Sequence, residues 1–294
     1  MNAPIAVVTV TYSPGKYLTD FLESVQAATA DSAIVIMADN GSTDGAPEAA
    51  AERYPWADFL PTGGNLGYGT AVNVAVRELI ARREAGEIND EFFVVSNPDV
   101  VFEPGSIDAM LACARRWPRA GAIGPFIRES DGSPYPSARA VPTLANGIGH
   151  AIFSAVWPQN PWSKAYRHSA DMDVERPAGW LSGSCILLRW DAFLQVDGFD
   201  ENYFMYMEDV DLGDRLGKAG WLNVFCPSSV ITHAQGHVAG EVPELMLPVH
   251  HQSAYRFQAD RHADWWQAPI RALLWLGLKA RSELVVACAR RRRR

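Results

Sequence analysis

Carboxylates are the groups in this chain most able to do chemistry, and they fall in clusters. The segment Tyr203-Phe204-Met205-Tyr206-Met207-Glu208-Asp209-Val210-Asp211-Leu212 sets three acids directly behind an aromatic and methionine wall. Acids at a helix start also suit the helix dipole. Carboxylates beside an apolar wall and beside one another, however, acquire the perturbed proton affinity that a general base needs. A second cluster is Asn97-Pro98-Asp99. Asp99 offers a hard oxygen of the kind Mg²⁺ takes from one or two carboxylates, the rest of its shell coming from substrate phosphates and water. The same residues could equally cap a turn. A third cluster is Asp39-Asn40-Gly41-Ser42-Thr43-Asp44-Gly45. His233 ends the apolar run Val230-Ile231-Thr232, a setting usual for a core or edge histidine; it is a candidate metal ligand, with His237 a weaker rival.

The elements that must carry these residues follow from periodicity. Ile5 to Thr11, Ala33 to Ala38 and Phe92 to Ser96 are short apolar runs that predict buried parallel strands. Between and after them, Leu18-Phe21-Leu22-Val25, Val72-Ala75-Val76-Leu79 and Ile107-Met110-Leu111-Ala114 recur at helical spacing, and Ala46 to Tyr54 predicts a short helix ended by Pro55. This β-α-β-α-β-α order predicts an open, mostly parallel α/β sheet with helices on both faces. In such sheets ligands bind beyond the carboxyl ends of the strands. Thr11 and Tyr12, Asp39 to Gly45, and Asn97 to Asp99 all stand there. Each cluster taken singly is ordinary turn chemistry; three together predict one ligand crevice. Further on, Ser184 to Arg189 predicts a strand, Asp209 to Ala219 a helix and Asn223 to Cys226 a short strand, while Pro125 to Pro177 has few periodic runs.

Composition narrows the ligand. The net charge is −8, yet Arg271 to Arg294 holds eight basic residues against Glu283 alone, leaving −15 on the remainder. So acidic a body excludes nucleic acid as the main ligand, because phosphate neutralisation needs Lys and Arg over the binding face. No G-x-G-x-x-G follows the first strand and no G-x-x-x-x-G-K-[ST] occurs, which disfavours nicotinamide and P-loop chemistry. The four cysteines, Cys113, Cys185, Cys226 and Cys288, lack any C-x-x-C spacing, so reduced thiols are expected rather than a disulfide framework or a zinc site. No secretory leader is legible and no apolar run is long enough to span a bilayer. The segment Ile270 to Ala289, preceded by Trp265 and Trp266 and followed by five arginines, predicts either an interfacial helix docking on anionic lipid or a helix packed on the body.

Taken in order, these segments resemble the family-two glycosyltransferases, which have an A-type nucleotide-diphospho-sugar fold. The likeness rests on Val8 to Tyr12, Asp39 to Asp44, Asn65-Leu66-Gly67, Asn97-Pro98-Asp99, Gly179 to Ser184 and Glu208-Asp209, and spans roughly residues 4 to 235. Asp39 to Gly45, Trp180-Leu181-Ser182-Gly183-Ser184-Cys185 and Tyr203 to Leu212 look closer to one branch, rhamnosyltransferases of the actinobacterial cell-wall linker. These move L-rhamnose from dTDP-rhamnose to N-acetylglucosaminyl-diphospho-decaprenol.

The resemblance implies an inverting transfer and a role for each matching residue. Thr11, Tyr12, Asp39, Asn65, Gly67 and Asn97 would line the nucleotide-sugar site, with Asp39 accepting a hydrogen bond from the base. Asp99 and His233 would hold a divalent cation, Mg²⁺ or Mn²⁺, and Asp209 would deprotonate the acceptor hydroxyl. Arg139, Trp180, Gly183 and Glu208 would face the acceptor. One position departs from the family pattern: the metal motif often opens with Asp, and here it opens with Asn97. The implied division is a nucleotide-sugar half over 1–125, an acceptor and catalytic half over 126–240, and a helical extension with a polybasic tail over 241–294. The implied partners are a nucleotide-diphospho-sugar, a lipid-linked diphospho-sugar and, through the tail, the cytoplasmic face of the plasma membrane. Three alternatives are weaker: another donor such as a UDP-sugar, a non-catalytic sugar-nucleotide binding module, and a nucleotidyltransferase. A binding module has no need of Glu208-Asp209, and a nucleotidyltransferase needs a basic glycine-rich loop where only Lys16 stands.

Overall fold

The computed structural model describes residues 3–144, 171–234 and 243–292; His237 lies outside them, as do Arg293 and Arg294. The first strands are β1 (Ile5–Thr11), β2 (Ala33–Asp39), β3 (Ala57–Pro61) and β4 (Phe92–Ser96). They pair in parallel in the order β3-β2-β1-β4, with Thr11 opposite Asp39. The sheet continues with β11 (Cys185–Arg189), β6 (Ala120–Glu129), β12 (Leu222–His233) and β5 (Val100–Phe102). Strand β11 enters antiparallel between β4 and β6, whereas β12 runs parallel to β6. Two short strands, β7 (Pro134–Tyr135) and β9 (Arg176–Ala178), add to β6 and β12. The result is mixed, with its parallel part carrying the predicted N-terminal strands. A separate antiparallel pair, β8 (Ala138–Arg139) and β10 (Trp180–Leu181), sets Arg139 opposite Trp180.

Two apolar layers fix the sheet. On one face α1 (Tyr17–Ala27), α2 (Ala46–Arg53) and α4 (Ser106–Arg116) bury Leu18, Phe21, Leu22, Ile107 and Met110. On the other, α3 (Tyr68–Glu84), α5 (Trp190–Gln195) and α6 (Glu208–Lys218) bury Val72, Leu79, Trp190, Phe193, Leu212 and Leu216. Each fully buried apolar side chain of this size contributes about 1.5–3 kcal/mol. Both faces being covered is what the uninterrupted apolar runs of β1, β2 and β4 require.

Several elements depart from the expectation, β5, β6 and α5 among them, and two more show the physical reason. Strand β3 was not foreseen: only Ala57 of its five residues is buried, it ends in proline, and it forms an edge of the sheet, where pattern is weakest. The short strand expected at Asn223 to Cys226 continues to His233 across an irregularity between Cys226 and Val230. Pro227, which has no N–H to give a ladder, stands at that irregularity. The extension carries His233 back toward Asp99.

The chain ends in two helices, α7 (Pro243–Arg261) and α8 (Ala268–Arg292), which pack on one another across a turn at Trp265–Gln267. Helix α7 is moored to the body by buried Phe257, which packs with Tyr203 and Val210. Helix α8 packs on α7 yet leaves Leu273, Trp275, Leu276 and Leu284 exposed, beside Trp265 and Trp266. No helix among the described residues is long and apolar enough to cross a membrane.

Candidate active site

The three predicted clusters do meet at one end of the sheet. The turn Ser182-Gly183-Ser184 links the Asn97 to Asp99 cluster to Asp209. The Asn97 N–H donates to Ser184 O at 2.9 Å, the Gly183 N–H donates to Asp209 Oδ2 at 2.9 Å, and the Tyr68 hydroxyl donates to Gly183 O at 2.7 Å. Burial first, then the charges of Glu208, Asp209 and Asp99, raises the proton affinity of Tyr68. That phenol therefore lies among all three carboxylates. Tyr68 was missed in the sequence, where the only signal was its place directly after Gly67.

Asp209 is the second residue of α6, with its carboxylate turned to the Gly183 N–H. Burial raises its proton affinity; hydrogen bonds from the Gly183 and Val210 N–H groups, and the charge of Arg139, pull it back. Gly183 stands where a Cβ would sit 3.2 Å from the Asp209 Cβ, so a side chain there would crowd the carboxylate. Glu208 is more deeply affected. It is buried, its Oε2 has no hydrogen-bond partner, and burial reinforced by Asp209 pushes its carboxyl up to about 8. Two adjacent acids in unlike surroundings divide the roles: Asp209, solvated by backbone N–H groups, is the ionised member, and Glu208 holds the proton.

The sign of that shift predicts a pH effect. In the unfolded chain Glu208 ionises in the ordinary carboxylate range, so between there and about 8 the folded state binds the extra proton. Its contribution to stability is then fullest at acid pH and falls as the pH rises through that window, with a slope of at most about 1.4 kcal/mol per pH unit. Glu208→Gln removes the fall. Thermal melts should show the variant gaining on wild type between pH 5 and pH 9; an equal offset at both would contradict the assignment.

The loop presenting these acids is strained. Tyr206 and Met207 both adopt left-handed backbone, at φ of 66° and 70°. Such conformations in bulky residues persist where surrounding structure over-determines them, commonly at functional sites. Gly67 braces the loop: at φ 85°, a Cβ on it would meet Phe204 O at 2.2 Å, and the Tyr68 N–H donates to the same carbonyl.

Asp99 and His233 form the second centre. Asp99 Oδ1 lies 3.1 Å from His233 Nε2, with Asn97 Nδ2 3.4 Å from the same nitrogen. Both side chains are mostly buried, and His233 Nδ1 has no hydrogen-bond partner. A carboxylate oxygen and an imidazole nitrogen this close are a donor set that suits Mn²⁺ or Mg²⁺ once phosphate oxygens join it.

On the opposite rim, Thr11 and Asp39 are buried, and Asp39 is fully engaged. Its carboxylate accepts from the Thr11 hydroxyl at 2.8 Å, from the Ser42 hydroxyl, and from the Gly41 and Ser42 N–H groups at 3.0 Å each. Tyr12 and Asn65 are exposed beside it, and Asn65 Oδ1 accepts from the Gly67 N–H at 3.3 Å. Asn40, which the sequence left among turn formers, ties the rim together by donating to Gly67 O at 3.0 Å.

Beyond Asp209 opens a cavity of about 260 Å³, lined by Tyr135, Arg139, Trp180, Met207 and Glu208 among others. The Arg139 guanidinium lies between two rings, 5.4 Å from Tyr135 and 5.6 Å from Trp180, and its Nε donates to Pro136 O. Cys113, Cys226 and Glu175 bring metal-ligating atoms within 4.8 Å of one another elsewhere, between α4 and β12. Glu175 is already engaged there by Arg116 and the Trp117 indole. Cys113, Cys185 and Cys226 are free thiols, as expected.

A mixed sheet with acids clustered at its strand ends, a candidate Asp–His metal pair and a half-buried carboxylate beside a cavity together are the features of a glycosyltransferase of the A-type fold. The model of the glycosyltransferase-like family 2 matches residues 3–247, and the chain belongs to that family. It is 55% identical over its full length to 96% of the N-acetylglucosaminyl-diphospho-decaprenol L-rhamnosyltransferase of Mycobacterium tuberculosis. It is also 24% identical, over 87% of its length and 92% of the relative's, to the rhamnosyltransferase WbbL of Escherichia coli. Among solved structures, a mannosyltransferase of Pyrobaculum calidifontis in complex with GDP-Man and Mn²⁺ superposes with a TM-score of 0.58 at 16% identity, over 98% of this chain and 80% of that one. GalNAc-T7 with UDP, GalNAc and Mn²⁺ gives 0.59 at 14% identity, over 86% of this chain and 47% of that one.

Proposed function

We propose that this enzyme moves L-rhamnose from dTDP-rhamnose to a polyprenyl-diphospho-N-acetylglucosamine, inverting the anomeric centre. The full-length relative supports the substrates. The observation that carries the chemistry is the half-buried Asp209 carboxylate, which lines the cavity and accepts from the Gly183 and Val210 N–H groups, bonds that favour its ionised form against the desolvation that raises its proton affinity. Asp209 takes the proton of the acceptor hydroxyl as that oxygen bonds to the anomeric carbon. The bond from that carbon to the diphosphate breaks on the opposite face, and the nucleoside diphosphate leaves with the electron pair. Glu208, neutral beside it, spares Asp209 a second charge to repel. Asp99 and His233 would hold the divalent cation, which would supply positive charge to the leaving diphosphate. Thr11, Tyr12, Asp39, Asn65, Gly67 and Asn97 take the nucleotide side; Arg139, Trp180, Gly183 and Glu208 take the acceptor side. A donor screen tests this. dTDP-rhamnose with a short-chain lipid diphospho-N-acetylglucosamine and Mn²⁺ or Mg²⁺ should turn over well above any UDP-sugar; a preferred UDP-sugar would refute the donor assignment.

We infer further that the enzyme docks on the cytoplasmic membrane surface through α8. Support comes from its exposed apolar residues, with Leu273 at 71% and Leu284 at 66% exposure, from Trp265 at 86% in the turn before it, and from the terminal arginines. Removing residues 268–294 should abolish sedimentation with anionic liposomes. Undiminished sedimentation would show that docking lies elsewhere.

A further inference from the structure

Helix α7 does more than connect the body to α8. It bridges the two walls of the cavity above Asp209. The Ser253 hydroxyl, on a buried side chain, donates to Met205 O in the strained loop at 2.8 Å, and Gln258 Nε2 donates to Pro142 O on the facing wall at 3.2 Å. Arg256 reaches Asp200 and Arg261 pairs with Asp214 at the two ends of that loop and α6. Phe257 seals the floor against Tyr203 and Val210, with Val141, Trp180 and Met207 packed alongside. The same helix supplies one lining residue of the cavity, His250.

His250 sits edge-on to the Tyr206 ring at 5.3 Å and has no hydrogen bond among the described residues. Its neighbour His251 is spent on Leu247 O at 2.7 Å. His250 keeps an exposed surface; desolvation of its ring, then the charges of His251 and Arg281, lowers its proton affinity, so positive charge stands near its imidazole. Across the same cavity stands Arg139, clamped between Tyr135 and Trp180. The cavity therefore has carboxylates at its inner end and cationic and N–H groups on its other walls. A sugar hydroxyl must reach Asp209, and the group that follows the sugar must meet Arg139 and His250.

We propose that His250, together with Arg139, grips the diphosphate of the acceptor lipid, making α7 a wall of the acceptor site and giving the lipid tail a path toward the exposed apolar face of α8. This rests on the acceptor class proposed above. His250 is a binding residue in this account, acting through an imidazole N–H on a phosphate oxygen. A charge-assisted hydrogen bond of this kind changes affinity about tenfold or more.

The test is equilibrium binding to the full-length protein in the presence of dTDP and Mn²⁺, with two ligands: a short-chain polyprenyl-diphospho-N-acetylglucosamine and an alkyl N-acetylglucosaminide that lacks phosphate. His250→Ala should weaken the diphospho-lipid about tenfold and the alkyl glycoside less than twofold, while dTDP affinity stays unchanged. His250→Lys should restore diphospho-lipid binding to within about threefold of wild type, which a merely structural role would not allow. Equal losses for both ligands, or no loss for either, would overturn the inference and leave the proposed function standing. Absence of diphospho-lipid binding by wild type would overturn both.

Discussion

Replacing Asp209 with Asn should lower kcat about 10²–10⁴-fold, the range a positioned general base contributes, with dTDP-rhamnose affinity unchanged. The amide keeps the size of the carboxylate and can still accept from the Gly183 or Val210 N–H, so the α6 start and the 182–184 turn stay in place. It cannot take a proton. The residual turnover of the variant should be uniform over pH, whereas wild-type turnover should fall as acid protonates Asp209, whose proton affinity burial raises, so the gap should narrow in acid. Single-turnover kinetics with donor binding measured separately would check this. Full turnover in the Asn variant, or lost donor binding with normal turnover at saturation, would remove Asp209 from the chemistry. Glu208→Gln gives the contrast: because Glu208 already holds its proton, the amide should preserve far more activity than Asp209→Asn does.

The second large effect concerns the Asp99–His233 pair. Wild type should bind the nucleotide-sugar more tightly with Mn²⁺ than without. In Asp99→Ala that increment should vanish, and His233→Ala should lose most of it. Loss of even an outer partner of a metal ligand typically costs 10–100-fold in metal affinity, so removing a direct ligand should cost at least as much. Calorimetric titration of donor with and without Mn²⁺ reads this. Asn97 gives the pair its weight: with an amide where the family motif often has a second carboxylate, Asp99 and His233, 3.1 Å apart, would be the main protein donors to such a cation. An unchanged increment in both variants would move the cation elsewhere.

Sequence alone revealed what is local or strongly periodic. Strands β1, β2 and β4 declared themselves because both their faces are buried, and the helices of the first half because their apolar residues recur at helical spacing. Asp209 was legible because it follows an unusual aromatic and methionine run. Long-range facts were not legible. The edge strand β3 lacks a buried run, and the antiparallel entry of β11 depends on partners nearly ninety residues away in sequence, Cys185 opposite Ser96. That Glu208 is the protonated acid depends on an unpartnered oxygen that only packing can create. Helix α7 hid best: Pro248 interrupts its pattern, its apolar residues follow no stripe, and its role at the cavity depends on contacts to residues 142 and 205.

The central claim is a single displacement at the anomeric carbon, with Asp209 as base and no covalent intermediate. The anomeric configuration of the first-formed product tests it most directly. With dTDP-rhamnose, the lipid diphospho-N-acetylglucosamine acceptor and Mn²⁺, NMR of the purified product should show a rhamnosyl linkage of configuration opposite to the donor. A linkage that keeps the donor configuration would contradict the account.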